Sequence, residues 1–369
     1  MREIPLFNIA DQYERLRQEI QEAVEQVLSG GQYILGPEVE AFEQGVADYA
    51  GVRYGIGVAN GTDALLLALE AAGVGPGDEV ITTPFTFFAT AEAISRTGAV
   101  PVFVDIDPQT YNLDISQLEA KVSPRTKGII PVHLFGQPVD MHAVNRFAQA
   151  HDLFVLEDAA QGMGGEYRGR KIGSMGHAAT FSFFPTKNLG GYGDGGMIVT
   201  DDDEIKQKVR SLRVHGSHPK SKYRNERLGY NSRLDALQAA ILNIKLGYLD
   251  HWNQLRRTGA DCYDQLLEGV PVQVPFRIPG GVHVFHLYVI QTERRDQLRV
   301  YLKEKGIETG VYYSIPLHLQ PVYHHLGYQE GDLPKAEYAA QRSLALPLYP
   351  GISQDTLVYI TETIRGFFR

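Results

Sequence analysis

A lysine stands in the run Thr180-Phe-Ser-Phe-Phe-Pro-Thr-Lys187-Asn-Leu-Gly190, after an apolar stretch that ends near Ser182 and before the glycine-rich Gly190-Gly191-Tyr192-Gly193-Asp194-Gly195-Gly196. Desolvation and a neighbouring cation lower the pKa of such a lysine and free its amine to attack an aldehyde. The glycines follow the lysine and precede a strand, the wrong order for a dinucleotide fingerprint or a phosphate-binding loop. Glu157-Asp158 closes the apolar run Val155-Leu156. Carboxylates at the carboxyl edge of a parallel sheet face the crevice where ligands bind, and one of them could keep a pyridine nitrogen protonated as an electron sink. Asn60-Gly61-Thr62-Asp63 opens a helix after a strand, where free backbone N–H groups and the Thr62 hydroxyl make an anion site. Pro84-Phe-Thr-Phe87-Phe-Ala-Thr90 sets aromatic rings just past a strand end, within reach of a planar ligand. Each has a plainer reading when taken singly: a solvated lysine, helix caps at Glu157 and Asp158, an N-cap at Thr62 or Asp63, and core phenylalanines.

These residues lie at successive junctions of an alternating pattern. Apolar strands are expected over 54–59, 79–83, 100–105, 127–132, 153–158, 179–184 and 197–200. Helical patterns over 64–69, 89–97, 115–122 and 141–150 lie between them. Strands separated by crossover helices mean an α/β fold with a mostly parallel sheet sandwiched by helices. The strand ends then share one sheet edge. Anion site, ring, acid and amine are together the parts that hold the phosphate, ring face, pyridine nitrogen and aldehyde of pyridoxal 5′-phosphate (PLP).

Helices over 11–28 and 38–49, flanking the turn at 30–37, should pack outside the main domain or on a partner subunit. One long or bent helix over 234–267 leads into a second domain with a strand over 283–291 and helices over 295–305 and 354–367. The 369 residues fit about two domains, with a boundary near 245–250. Lys and Arg number 35 against 44 Asp and Glu, giving −9, which argues against a nucleic-acid partner. No apolar run reaches the roughly 18 residues of a membrane span. Met1-Arg2-Glu3-Ile4-Pro5 has no signal-peptide core. Cys262 is the single cysteine, so no internal disulfide and no four-thiolate metal site can form; a cytoplasmic protein without metal is expected.

The chain resembles the DegT/DnrJ/StrS family of PLP-dependent sugar aminotransferases, of fold type I. The likeness is carried by Gly36-Pro37-Glu38-Val39-Glu40-Ala41-Phe42-Glu43, Asn60-Gly61-Thr62-Asp63-Ala64-Leu65, Gly75-Pro76-Gly77-Asp78-Glu79-Val80 and Glu157-Asp158-Ala159-Ala160-Gln161. It continues through Phe181–Lys187, Gly193–Gly196 and Asn231-Ser232-Arg233-Leu234-Asp235. The resemblance implies a large α/β/α domain over 1–248, with an N-terminal arm, and a smaller C-terminal α+β domain over 249–369. It implies Lys187 as the Schiff-base lysine and proton shuttle, and Asp158 on the pyridine nitrogen. Gln161 falls to the ring hydroxyl, Phe87 to the ring face, and Gly61, Thr62 and Ser182 to the phosphate. Asn231 would reach the phosphate from the other subunit of a homodimer. His215, Arg233, Tyr313 and His318 would line the sugar side, although a surface histidine after the Pro316 turn is the plainer reading of His318. A dehydratase branch of the family carries histidine where Lys187 stands, so the lysine favours transamination. The implied reaction moves an amino group from L-glutamate to a UDP- or dTDP-linked keto sugar. The run 312–321 with Asn231-Ser232-Arg233 points to carbon 3, ahead of a 4-keto sugar or a cyclitol. A PLP-binding regulator and an amino-acid lyase are the readings from other classes.

Overall fold

The computed structural model describes residues 3–218 and 220–369; Met1, Arg2 and Pro219 lie outside the described residues. Seven strands form the main sheet: β1 Tyr54–Val58, β2 Glu79–Thr82, β3 Val100–Phe103, β4 Thr126–Ile129, β5 Phe154–Asp158, β6 Ala178–Ser182 and β7 Gly196–Thr200. Their spatial order is β1-β7-β6-β5-β4-β2-β3. Pairing is parallel from β6 through β5, β4 and β2 to β3, and β7 runs antiparallel to both its neighbours. These strands are short and mostly buried, as expected for a sheet covered by helices on both sides.

The pleat sorts side chains between two cores. On one face Ile81, Ile129, Val155, Phe181, Met197 and Val199 meet the helices Pro37–Ala50, Met141–Ala150 and Ala236–Leu246. On the other, Val58, Val80, Ile130, Leu156, Ala178 and Ile198 meet the helices Gly61–Ala71, Ala89–Arg96 and Asp203–Leu212. The first fifty residues pack largely on this same chain: Leu16, Ile20 and Val27 of the helix Ile9–Gly30 bury against the helix Ala236–Leu246 and Trp252. Beyond them, Tyr288–Gln291 and Ser343–Leu346 pair antiparallel over a separate core of Tyr263, Leu298, Leu302, Ile360 and Ile364. Ile4 joins that core, held by hydrogen bonds from its N–H to Gly306 O and to its carbonyl from Glu308 N–H.

Three expectations change in detail. The segment expected as a helix over 115–122 is a 3-10 turn, Ile115–Ala120, closed by Ser123-Pro124. The long helix breaks at Gly247–Tyr248 into Ala236–Leu246 and Leu249–Leu266. The strand expected over 283–291 starts only at Tyr288, because Phe285 adopts φ 44°, which no strand residue can. The helix Pro334–Arg342 was not expected; its first turn has no side-chain cap of its own. Asp105, 3% exposed beyond the end of β3, supplies one: its carboxylate accepts from Lys335 N–H at 3.0 Å and Ala336 N–H at 2.9 Å. Asp105→Ala should therefore reduce the unfolding free energy by about 1–3 kcal/mol, seen as an earlier urea midpoint. An unchanged midpoint would mean that apolar contacts alone hold this helix.

Candidate active site

β5 and β6 lie side by side and parallel, with Asp158 opposite Thr180. Asp158 shares its pleat face with Leu156, toward the helices Gly61–Ala71 and Ala89–Arg96, whereas Glu157 turns to the opposite face with Val155. Neither acid is a helix cap. Asp158 is 5% exposed; its Oδ2 accepts from the Thr90 hydroxyl at 2.8 Å and its Oδ1 from Ala160 N–H at 3.2 Å. Thr90 is in turn 3.2 Å from the Thr86 hydroxyl. Burial raises the Asp158 carboxyl above its usual range, opposed by the Thr90 bond, the Ala160 amide and the Lys187 charge. A carboxylate in that state is stabilised by an arriving cation such as a protonated ring nitrogen.

Lys187 follows β6 by five residues and interacts electrostatically with Asp158. Its ammonium makes no hydrogen bond or ion pair among the described residues. Burial lowers its pKa to about 8, with Asp158 pulling the other way. Behind it, Gly190 O accepts from the buried Lys245 ammonium, Tyr192 N–H donates to Gln238 Oε1 at 2.8 Å, and the Asn188 amide donates to Asn253 Oδ1 at 2.7 Å. The lysine thus projects from a loop that is fixed on its far side.

At the start of the helix Gly61–Ala71 the cap is Asn60, whose Oδ1 accepts from Asp63 N–H at 2.8 Å; neither Thr62 nor Asp63 plays that part. The N–H groups of Gly61 and Thr62 have no acceptor among the described residues. A Cβ on Gly61 would stand 2.8 Å from Ser182 Cβ, so only glycine lets the helix start approach the end of β6 this closely. Gly196 is needed for the same reason, since its Cβ would fall 2.3 Å from Asn60 O. Gly61, Thr62 and Ser182 therefore form one cradle of N–H and hydroxyl donors, the chemistry a phosphate requires.

Gln161 is oriented by its neighbours. Phe135 N–H can only donate, and it reaches Gln161 Oε1 at 2.8 Å; the amide nitrogen lies 3.1 Å from the Tyr313 hydroxyl. One N–H of Gln161 remains to donate to an anionic oxygen. The Phe87 ring is 57% exposed and 6.3 Å from the Tyr313 ring, leaving an uncovered aromatic surface. Amine, acid, amide, aromatic face and anion cradle match the groups of PLP, so the residues present fit that cofactor.

The sugar-side candidates divide. Tyr313 belongs to the constellation through Gln161 and Phe87. Arg233 is partly buried, and its guanidinium has no partner among the described residues. Asn231 and His215 are exposed on neighbouring backbone: Asn231 bridges Val214, and His215, at φ 63°, donates its N–H to Tyr230 O. This chain alone does not bond either side chain to Lys187, Asp158 or Gln161. His318 is no surface histidine. It is 0% exposed, with Nε2 3.0 Å from Glu337 Oε1 and Nδ1 without a partner. Sequence reasoning gave no role to Thr90, although it lies in the aromatic run, nor to Phe135. It also passed over His286, whose pKa is pushed well down by burial and by the Lys187 and Arg256 charges.

The DegT/DnrJ/EryC1/StrS aminotransferase family matches residues 14–365. The pleiotropic regulatory protein of Geobacillus stearothermophilus is 53% identical over 369 residues, covering 99% of each chain. A UDP-N-acetyl-3-dehydro-alpha-D-glucosamine 3-aminotransferase of Acidithiobacillus ferrooxidans is 45% identical over 362 residues, 98% of this chain and 97% of its own. The crystal structure of S. venezuelae DesV in complex with a ketimine intermediate superposes with a TM-score of 0.97 at 43% identity, over 100% of this chain and 99% of that one.

The lowered pKa of Lys187 has a direct consequence. Only the neutral amine is nucleophilic, so lowering the pKa to about 8 raises reactivity at neutral pH. Reductive methylation of the apoprotein, read peptide by peptide, should give a Lys187 labelling rate that climbs through about pH 8 and then levels. Solvated lysines keep climbing toward their own pKa of about 10.4. A Lys187 profile that follows those lysines would refute the burial argument.

Proposed function

The chain belongs to the DegT/DnrJ/EryC1/StrS aminotransferase family, and we propose that it transfers an amino group from L-glutamate to carbon 3 of a UDP- or dTDP-linked keto sugar. PLP is the cofactor of this family. The observation that carries the reading is the pairing of an unpartnered amine of lowered pKa, Lys187, with an under-compensated buried acid, Asp158. Carbon 3 is favoured by the name of the Acidithiobacillus relative, a 3-aminotransferase similar along the whole chain.

Bound PLP supplies an electron sink for negative charge that develops on the substrate carbon. The protein's residues divide the remaining work. Gly61, Thr62 and Ser182 hold the phosphate. Asp158, fixed by Thr90 and Ala160, keeps a proton on the ring nitrogen. Gln161, oriented by Phe135, donates to the ring oxygen, and Phe87 covers one face. Lys187 Nζ, a free amine for part of its population at neutral pH, would take up the proton from the donor's α-carbon and hold it for return. Over the whole reaction the amino group of L-glutamate and the keto oxygen of the sugar change places, which gives 2-oxoglutarate and the amino sugar.

A homodimer is part of the proposal. Asn231 and His215 are exposed, and Leu228 nearby is 96% exposed, an arrangement that suits residues lent to a second copy. The division at 248/249 is proposed too. Its support is the separate core around Tyr263, Leu298 and Ile360, although Leu317, Tyr323 and Leu333 pack back on Ala91 and Phe103 of the large unit. No helix among the described residues is long and apolar enough to cross a membrane, and a cytoplasmic site of action accords with the single cysteine.

The name of the Geobacillus relative favours a second reading, a PLP-binding regulator without turnover. One experiment separates the two. L-glutamate added to the purified holoprotein should move its absorbance band at the visible edge to shorter wavelength. Lys187→Ala should retain PLP without a covalent link and lose turnover by about 10³-fold or more. A band indifferent to glutamate would favour the regulator. Offered 3-keto and 4-keto nucleotide sugars, the glutamate-treated enzyme should regain its band with the 3-keto compound; a strong preference for the 4-keto compound would overturn the carbon-3 assignment.

A further inference from the structure

The ends of β4 and β5 are tied together by bonds that the mechanism above does not use. His133, just past β4, is 0% exposed. Its backbone N–H donates to Asp158 O at 3.0 Å. Its Nδ1 accepts from Val139 N–H at 3.1 Å, and its Nε2 lies 3.0 Å from Glu157 Oε2. An amide N–H can only donate, so Nδ1 carries the lone pair and Nε2 the proton: the ring is neutral and donates to Glu157.

Glu157 is saturated by its other bonds. Oε2 also accepts from Gly173 N–H at 3.0 Å, and Oε1 accepts from Met175 N–H at 2.7 Å and Gly176 N–H at 2.6 Å. Two residues beyond His133, Phe135 is held at φ 58°, a strained conformation for a non-glycine residue, and there its N–H meets Gln161 Oε1. A Cβ on Gly162 would lie 3.0 Å from His133 Cβ, so the two segments have no slack between them. One residue therefore bonds the residue before Asp158 through its ring and Asp158 itself through its backbone, and its Cβ abuts the residue after Gln161.

We propose that His133 is a positioning residue for the cofactor ring: by clamping the ends of β4 and β5 it holds Asp158 and Gln161 at the spacing that two atoms of one ring demand. This rests on the PLP reading above. His133 touches neither cofactor nor substrate and acts through the two residues it aligns, as supporting shells do around reactive groups.

His133→Asn keeps an acceptor near Nδ1 and loses the donor to Glu157; His133→Gln keeps a donor near Nε2. PLP affinity of the apoproteins is measured by equilibrium dialysis, and the absorbance band of the reconstituted proteins is titrated with pH. His133→Asn should raise the PLP dissociation constant about tenfold or more and shift the pH at which the band titrates, with His133→Gln partly restoring both. Should His133→Asn fail to fold, Glu157→Gln carries the same test, with the same directions and a smaller effect. Affinity within about twofold of wild type together with an unmoved band titration, whatever happens to the melting temperature, would reduce His133 to a packing residue and overturn the proposal. A wild-type protein with no band at all would overturn the PLP reading itself, a separate and recognisable failure.

Discussion

Glu157 and Asp158 are consecutive carboxylates, both nearly free of solvent, and the pleat of β5 sends them to opposite faces of the sheet. On one face, two buried negative charges so close in sequence would force one of them to take up a proton. Apart, they meet different fates. Glu157 receives four donors and is held below its ordinary pKa although burial opposes it, through the His133 hydrogen bond first and the backbone amides after. Among the described residues Asp158 receives only the Thr90 hydroxyl and the Ala160 amide, and burial wins. The saturated acid anchors the strand end, and the unsaturated one is left to react to whatever cation enters the crevice.

Lys187 is the matching deficiency. A largely desolvated ammonium without a hydrogen bond is costly, and the cost appears as a pKa near 8. Asp158 attracts it but does not pair with it, since no contact between them reaches ion-pair distance. The folded chain thus keeps an amine and an acid that would each be better satisfied by a ligand than by one another. Any ligand that completes both also stabilises the fold by mass action. The loop behind the lysine is held through Lys245, Gln238 and Asn188.

Much of this was legible in the residue order because the relevant contacts are local or follow from strand parity. The seven strands, the reversed β7 aside, could be read from apolar runs and turn residues. The crevice followed from the rule that ligands gather at the carboxyl edge of a parallel sheet. The sequence also separates Glu157 from Asp158, since adjacent residues of a strand face opposite ways. What could not be read is of two kinds, a choice among adjacent residues and contacts between segments far apart in the chain. Asn60 outcompetes Thr62 as the cap because its side chain reaches Asp63 N–H, a choice among neighbours that composition does not decide. Phe135 and Gln161 meet across 26 residues only because β4 and β5 are adjacent in the sheet. The break at Phe285 and the burial of His318 also depend on distant partners: Val284 and Leu287 donate their N–H groups to Gly136 and Phe135, and Glu337 holds His318.

The segment 84–90 joins the carboxyl edge of the sheet to the C-terminal unit. Thr90 fixes Asp158, and Phe87 offers its ring face beside Tyr313. Pro84 O accepts from Leu317 N–H at 2.7 Å, immediately before His318. From the other side, Glu337 holds His318, and the helix carrying Glu337 is capped by Asp105 at the end of β3. The wall that would face the sugar is therefore not free to move as part of a remote C-terminal unit. It is bonded at both ends to strand ends of the sheet that positions the acid. Under the proposed function, a sugar that displaced this wall would strain the same loop that orients Asp158, and discrimination at the sugar and alignment of the ring nitrogen would act through one short piece of backbone.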